Sequence, residues 1–177
     1  MRKHALNKAV RFCFISFMIN LFCCQFIAGK GFCWMKQLNL QELTDKASHV
    51  IVGKVISKKS SWNPDRTKIY TDVTISVQEQ IKGSLKERDI VVRYLGGEIP
   101  EEDIGMKVLE MPEFKMDEEA VLFIKPDEMD TTYKVVGGCQ GKYTVKDRVV
   151  LKRHLPLSDF RNQVMRIIDK HKLEDQQ

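Results

Sequence analysis

The histidines and cysteines are the residues of this chain whose side chains could carry nucleophilic or metal chemistry. The four histidines are His4, His49, His154 and His171, and their spacing is not typical of zinc ligands. Cys139 beside a histidine could act as a nucleophilic thiol. Because no neighbouring feature of the sequence would stabilise a thiolate there, a disulfide or a core position is favoured for Cys139 over catalysis.

Signature motifs of hydrolases, nucleotide-binding enzymes and zinc proteases are missing from the sequence. It contains no Gly-x-Ser-x-Gly, no Walker loop and no His-Glu-x-x-His. Acidic clusters at residues 101–103 and 127–130 do not match the spacing of a calcium loop and are interpreted as solvated turns. The sequence therefore predicts a protein that is not an enzyme and that uses no metal and no cofactor. The alternative is a secreted hydrolase or thiol enzyme with a site assembled from scattered residues.

An aromatic and polar group at the second predicted strand is the best candidate for ligand binding. Tyr70, Asp72 and Thr74 alternate with apolar residues and so share the outward face of that strand. Trp62 lies in the preceding loop, and an exposed tryptophan beside a tyrosine can stack on a sugar ring or contact a protein partner. In the alternative interpretation Trp62 folds back over an open end of the domain, because large aromatic side chains are usually buried.

A second candidate surface is basic and lies on the last predicted hairpin. Its cations are Lys142, Lys146, Arg148, Lys152 and Arg153. Such a strip could meet anionic lipid, a polysaccharide or an acidic protein. The favoured alternative is a solvated edge strand, whose charges prevent it from pairing with another chain.

The first 31 residues have the composition of a secretory signal. They hold five of the chain's 29 basic residues and none of its 24 acidic residues. A basic start is followed by an apolar run over residues 12–28 and then by the small residues Gly29 and Gly31. We therefore predict a signal peptide over residues 1–31, with Gly29 as a second candidate for the last residue before cleavage, and a single domain over residues 32–177. The alternative is an uncleaved segment that anchors the protein in a membrane.

Removal of that segment changes how the charge and the cysteines are interpreted. The remaining chain has 24 basic and 24 acidic residues, and nucleic-acid binding, which relies on phosphate neutralisation, is not expected of a neutral domain. We expect a secreted or periplasmic protein. In an oxidising compartment the two remaining cysteines, Cys33 and Cys139, are candidates for a disulfide. The alternative is a pair of unrelated thiols.

The pattern of the remaining residues predicts a short helix, several strands and a C-terminal helix. Asn39 and Glu42 form a capping-box pattern at the start of the first helix. Gly53, inside the first strand, is typical of a bulge or a sharp bend. Ser158 is predicted to cap an amphipathic helix over about residues 158–172. Strands are predicted over residues 49–57, 68–81, 89–95, 120–125 and 133–137, with a terminal hairpin over residues 142–151.

Short strands flanked by helices favour a mainly β fold. The expected architecture is a small closed or partly open antiparallel barrel of the OB type, with a short N-terminal helix and an amphipathic C-terminal helix. The long, strongly alternating second strand is typical of a highly coiled sheet. A two-sheet sandwich is the alternative.

The chain also resembles a family of exported bacterial proteins of uncharacterised function. The resemblance covers about residues 43–145 and lies in the runs LTDKASHVIVGKVISKKSSWNPDRTKIYTDVTISVQEQIKG, YLGGE, EEAVLFIKP and VVGGCQGKYTV. The same order of motifs is distantly similar to netrin-like domains, which include the tissue inhibitors of metalloproteinases, and it implies an OB-type barrel. Such inhibitors chelate zinc through a cysteine at the mature N-terminus. Here Phe32 precedes Cys33 and there is no Cys-x-Cys start, so the resemblance implies the fold and not the inhibition.

Together these observations predict an exported binding domain without catalytic activity, in the cell envelope or outside the cell. The expected ligand is a protein, such as a protease or an envelope component, bound through the barrel face and its loops. Nucleic acid is not expected, and membrane contact is expected only through an uncleaved N-terminal segment. A metalloprotease-inhibitor-like protein is a further alternative.

Overall fold

The fold is given by a computed structural model that describes residues 36–128 and 130–174. The predicted signal peptide and Cys33 lie outside the described residues. The α-helices are α1 (Leu40–Lys46) and α2 (Leu157–Glu174), and 3-10 helices span Pro100–Glu102, Gly138–Gly141 and Leu151–Arg153. The strands are β1 (His49–Trp62), β2 (Ile69–Lys82), β3 (Asp89–Leu95), β4 (Gly97–Ile99), β5 (Ile104–Met106), β6 (Glu119–Pro126), β7 (Tyr133–Val135), β8 (Lys142–Lys146), β9 (Val149–Val150) and β10 (Leu155–Pro156).

Helix α1 begins where the sequence predicts it. The Asn39 side chain accepts a hydrogen bond from the backbone N–H of Glu42 at 2.8 Å, and the Glu42 carboxylate accepts one from the N–H of Asn39 at 2.9 Å. This reciprocal pair satisfies donors that a helix start otherwise leaves open, and it confirms the capping box. At the other end of α1, the Lys82 ammonium donates to the carbonyls of Thr44 and Ala47.

Strands β1 and β2 form a long antiparallel hairpin that shows the predicted alternation. The inward residues of β2 are buried and the residues between them are partly exposed. The register of β1 shifts between Val52 and Gly53, which confirms the predicted bulge. A Cβ at Gly53 would collide with the Ile75 side chain and would lie 3.0 Å from the Ser76 carbonyl oxygen. The close approach of the two strands at the bulge therefore requires glycine.

Five strands close into a barrel in the order β1-β2-β3-β7-β6, with β6 pairing back to β1. The predicted OB-type barrel is confirmed, with the difference that it is mixed. Strands β3 and β7 run parallel and meet at one register pair, Val92 opposite Tyr133, whereas the other four pairings are antiparallel. A ring with an odd number of strands cannot alternate in direction all the way round, so a parallel seam is required. The sheet continues beyond β6 through β8, β9 and β10.

The barrel wall separates two hydrophobic clusters. Strand β6 and the first half of β1 are buried on both faces, because alternate residues such as Ile51 and Val52 belong to different clusters. The outer cluster packs helices α1 and α2 against the barrel, with Leu43 and Phe160 as its largest helical members. The inner cluster consists of Ile51, Val55, Val73, Ile75, Leu85, Ile90, Val92, Phe114, Ala120, Leu122 and Ile124.

Helix α2 packs through the face that its sequence predicts. Phe160 and Val164 are fully buried, and Ile168 packs against the same outer cluster. The Phe160 ring centroid lies 4.9 Å from that of Tyr143 on β8 and 6.4 Å from that of Phe123 on β6. Within the described residues, neither helix is both long and apolar enough to cross a bilayer.

The predicted cap of α2 is wrong by two residues. The helix begins at Leu157, so Ser158 lies inside its first turn and its hydroxyl donates to the Asp159 side chain at 3.4 Å. Leu157 is buried, and its N–H donates to the carbonyl of Arg148 at 2.8 Å. Strand pairing between β9 and β10 therefore carries the chain directly into the helix.

The segment between β3 and β6, residues 96–118, is called the crossover segment below, and the sequence did not predict its form. Its strands β4 and β5 form a small hairpin outside the barrel sheet. Phe114 from the same segment is 3% exposed and joins the inner cluster, with its ring 5.9 Å from that of Tyr94. The crossover segment thus supplies one large side chain to the barrel interior.

Candidate binding cleft

A cleft of about 200 Å³ opens on the barrel wall where β2, β3 and β7 meet the crossover segment. OB-type barrels bind ligands on the face formed by their second and third strands and by the loop between their fourth and fifth strands. In this barrel the fourth and fifth strands are β6 and β7, so the cleft lies on that face. Its lining consists of Tyr70, Arg93, Tyr94, Leu95, Met111, Pro112, Asp127, Lys134, Val135 and Gly138.

The parallel seam explains why the barrel wall opens at this place. Strands β3 and β7 share only the register pair Val92 and Tyr133. Beyond that pair, β3 continues through residues 93–95 and β7 through residues 134–135, and all five of these residues line the cleft. A seam held at one position leaves space between the strands that a longer ladder would fill.

The charged side chains of the cleft are paired with charges of opposite sign. Arg93 Nε and Nη2 donate to the two carboxylate oxygens of Asp72 at 2.6 and 2.7 Å, and these residues are register partners on β3 and β2. Arg93 also forms an ion pair with Asp130 in the β6–β7 loop. Lys134 Nζ lies 3.3 Å from Asp127 Oδ1. Hydrogen bonding to Asp72 raises the pKa of Arg93, so its guanidinium stays charged.

The predicted binding residues on β2 divide into different roles. Tyr70 lines the cleft. Asp72 lies on the same outward face and holds Arg93, which does line it. Thr74 is also on that face, opposite Val91, but it does not belong to the lining. Strand alternation thus identified the correct face of β2. Only the start of β2, where Tyr70 lies opposite Leu95 at the end of β3, contributes to the cleft lining.

Trp62 lies at the end of β1, opposite Ile69, and is separate from the cleft lining. Its indole Nε1 donates to the carboxylate of Glu102 at 3.2 Å, and the Arg66 guanidinium lies 5.4 Å from the ring centroid. Arg66 Nη2 donates to the same carboxylate at 2.6 Å. The side chain is half-buried by these two partners and is absent from both hydrophobic clusters. Trp62 therefore joins the β1–β2 hairpin to the crossover segment, which neither sequence interpretation anticipated.

Sequence reasoning missed the part of the cleft that the crossover segment supplies. Met111 and Pro112 come from a stretch without regular periodicity. Nearby on the same segment, Leu109 is 82% exposed and Met116 is 55% exposed. The signal available in the sequence was the presence of Leu109, Met111 and Met116 in a stretch without strand or helix periodicity.

Cys139 lies in the 3-10 helix Gly138–Gly141 and is exposed, so the core position considered from the sequence is wrong. Its N–H donates to the carbonyl of Glu110 at 2.8 Å. Within residues 36–128 and 130–174 it forms no disulfide. Cys33 lies outside those residues, so the predicted pairing stays a prediction.

The described histidines lie against residues other than Cys139. His49 packs edge-on against Tyr133 with ring centroids 5.8 Å apart, and His171 lies beside Asp45 on α1. His154 follows the last 3-10 helix, and its N–H donates to the carbonyl of Leu151. Among the described residues, these contacts bring no histidine imidazole to the Cys139 thiol, so they form no thiol–imidazole dyad.

The part of the chain that the structure describes holds no group of three or more histidine, cysteine, aspartate or glutamate residues placed to bind a metal ion. A comparison of the sequence with known protein families finds no match, and a comparison with curated proteins finds none either.

Proposed function

We propose that the domain is an exported, non-catalytic binding module that accepts an apolar side chain of a protein partner in the cleft. The composition of the lining carries this proposal. Six of the ten lining residues are aromatic, aliphatic, methionine or proline: Tyr70, Tyr94, Leu95, Met111, Pro112 and Val135. Tyrosine and methionine are enriched at protein interfaces, where they supply large and adaptable contact areas.

The size of the cleft favours one anchoring side chain over a free small molecule. Pockets for drug-sized ligands occupy about 300–1,000 Å³. The cleft offers about 200 Å³, which suits one large side chain with its neighbouring backbone. Proteins commonly bind one another through such an anchor in a pocket surrounded by weaker contacts.

The charge of the cleft favours an apolar ligand over a phosphate. Its cations Arg93 and Lys134 already hold the carboxylates of Asp72, Asp130 and Asp127. Nucleic-acid affinity depends on cations that can neutralise phosphates, and these two are engaged. The ion pairs instead fix the walls of the cleft around its apolar floor.

The crossover segment, which supplies Met111 and Pro112 to the cleft, also carries the exposed apolar side chains Leu109, Met116 and Ile104. Export to the envelope or the extracellular space is supported by the signal-like composition of residues 1–31.

Site-specific photocrosslinking in cells that produce the full chain tests this proposal. A benzophenone side chain replaces Tyr70 in the cleft or, as a matched control on the same strand face, Thr74. We expect a discrete protein adduct from position 70 and at least tenfold less from position 74, because only position 70 lines the cleft.

A second variant separates specific binding from accidental contact. Leu95→Asp places a charge in the apolar lining and should remove most of the adduct formed at position 70, while circular dichroism shows an unchanged fold. Equal adducts from both positions, or an adduct that survives Leu95→Asp, would contradict the proposal.

A further inference from the structure

The basic surface at the C-terminal hairpin differs from its sequence-based description. Lys142 does not belong to it, because its side chain is only 11% exposed and its Nζ lies 2.6 Å from Glu118 Oε1. The four remaining cations are exposed, and we call them the basic strip: Lys146, Arg148, Lys152 and Arg153.

The four cations are close in sequence and lie on either side of a short strand. Lys146 and Arg148 flank the β8–β9 turn, and Lys152 and Arg153 belong to the 3-10 helix that follows β9. Strand β9 has only two residues, which span about 7 Å. Lys152 Nζ is held 5.3 Å from the ring centroid of Tyr143 on β8.

Protection of an exposed strand edge does not explain these charges. Strand β9 pairs with β8 on one side and with β10 on the other, so it is not an edge strand. Lys152 and Arg153 lie outside any strand. The interpretation of the strip as charge that prevents edge pairing is therefore wrong.

The cations of the strip lack carboxylate partners among the described residues, in contrast to Arg66, Arg93 and Arg161 elsewhere on the surface. The acidic residues closest in sequence are Asp147 in the turn and Asp159 in the first turn of α2, and neither pairs with the strip. Four exposed cations without such carboxylate partners attract a polyanion.

The exposure of one apolar side chain indicates which kind of polyanion the basic strip binds. Leu151 lies directly before Lys152 and is 44% exposed. Cations around an exposed leucine fit a bilayer surface, where long basic side chains reach phosphates while the leucine enters the acyl boundary. A polysaccharide in water offers no such apolar layer.

We propose that the basic strip docks the domain on a membrane surface rich in anionic phospholipid, with Leu151 inserted between headgroups. This goes beyond the proposed function, because the strip and the cleft share no residue.

Co-sedimentation of the full chain with vesicles tests the proposal. The vesicles contain phosphatidylcholine alone, or phosphatidylcholine and phosphatidylglycerol in equal parts. Any contact of the N-terminal segment is common to all variants, so the informative quantity is the binding that phosphatidylglycerol adds. We expect this component to weaken at high salt and to fall about 25-fold in Lys146→Gln/Lys152→Gln, at about fivefold per cation.

A matched control removes two exposed cations from another surface. Lys58 and Lys59 on β1 are also exposed, and Lys58→Gln/Lys59→Gln should leave the added binding unchanged. Equal binding to both kinds of vesicle, or an equal loss in this control, would overturn the proposal.

Leu151→Ser distinguishes a bilayer from a soluble polyanion. We expect it to weaken binding to the anionic vesicles severalfold while binding to heparin stays the same. Vesicle binding that is unaffected by Leu151→Ser would show that the strip binds polyanions without insertion and would overturn membrane docking.

Discussion

At the scale of single residues, the Glu118–Lys142 contact is the most buried ion pair among the described residues. The two side chains are 9% and 11% exposed and lie 2.6 Å apart. Burial would raise the pKa of Glu118, but hydrogen bonds from Lys142, the Thr144 hydroxyl and the Lys115 N–H outweigh burial and lower it. Lys142 Nζ also lies 5.1 Å from the ring centroid of Phe114. The pair therefore fixes the crossover segment to β8.

Glu118→Gln should lower the free energy of unfolding by about 3 kcal/mol, because it leaves the Lys142 ammonium buried without a counter-charge. Urea unfolding at neutral pH measures this change. Glu113→Gln is the matched control, since Glu113 pairs with Lys107 and both side chains are 81% exposed. That control should change stability by less than about 1 kcal/mol.

The Glu118–Lys142 ion pair also predicts that the free energy of unfolding depends on pH. The pKa of Glu118 in the folded state lies below the ordinary value of 4.5, so ionised Glu118 stabilises the fold fully above that pH. The stabilisation is lost as the pH falls through the folded-state pKa. The difference in stability between wild type and Glu118→Gln should therefore shrink on acidification. A difference that stays constant with pH would show that the carboxylate charge is not what stabilises the contact.

At the scale of elements, helix α1 depends on contacts outside itself. It has seven residues, and isolated helices shorter than about 12 residues are marginal in water. The capping box provides hydrogen-bond partners for backbone N–H groups at the start of α1. At its end, the Lys82 ammonium lies 2.5 Å from the Thr44 carbonyl oxygen and 2.8 Å from that of Ala47. Burial lowers the pKa of Lys82, against a smaller raising effect of Asp45.

Lys82→Met should destabilise the fold by about 2 kcal/mol, because two carbonyls lose a charged donor at the negative end of the helix. Chemical denaturation at neutral pH provides the measurement. Lys86→Met, on the exposed β2–β3 loop, serves as the control and should have little effect. Comparable losses in both variants would show that the helix-end contact is not the source of the effect.

At the scale of the whole molecule, the two cysteines and the N-terminal segment make one testable prediction. The Gln140 side chain accepts a hydrogen bond from the N–H of Leu38 at 2.7 Å and donates one to the carbonyl of Lys36 at 3.1 Å. The beginning of the described chain therefore lies beside the residue that follows Cys139.

Mass spectrometry of the protein recovered from outside the cytoplasm should find Phe32 as the first residue and a Cys33–Cys139 disulfide. The bridge would close a loop of about a hundred residues, and Cys139→Ser should then cost up to about 4 kcal/mol of stability. Recovery of intact Met1, or of two free thiols on the exported protein, would contradict the prediction.

Local patterns predicted most of the strands and both helices, because the physics behind them acts over a few residues. Tyr70 and Asp72 were assigned to one face from a period of two, and Asn39 was recognised as a cap from the position of Glu42. The predictions were wrong where contacts between residues distant in sequence determine the local structure. Pairing of β9 with β10 set the start of α2, and Glu102, 40 residues from Trp62, set the position of the indole ring.

The sequence by itself determined the alternation of the strands, the closure-promoting bulge at Gly53 and the neutral charge of the domain after residue 31. Only the tertiary structure decided the register of β3 against β2, which brings Arg93 to Asp72, and the single-pair seam between β3 and β7, which opens the cleft. The reason is physical. Alternation and capping depend on neighbours along the chain. Register and ring closure depend on all five barrel strands pairing with one another simultaneously.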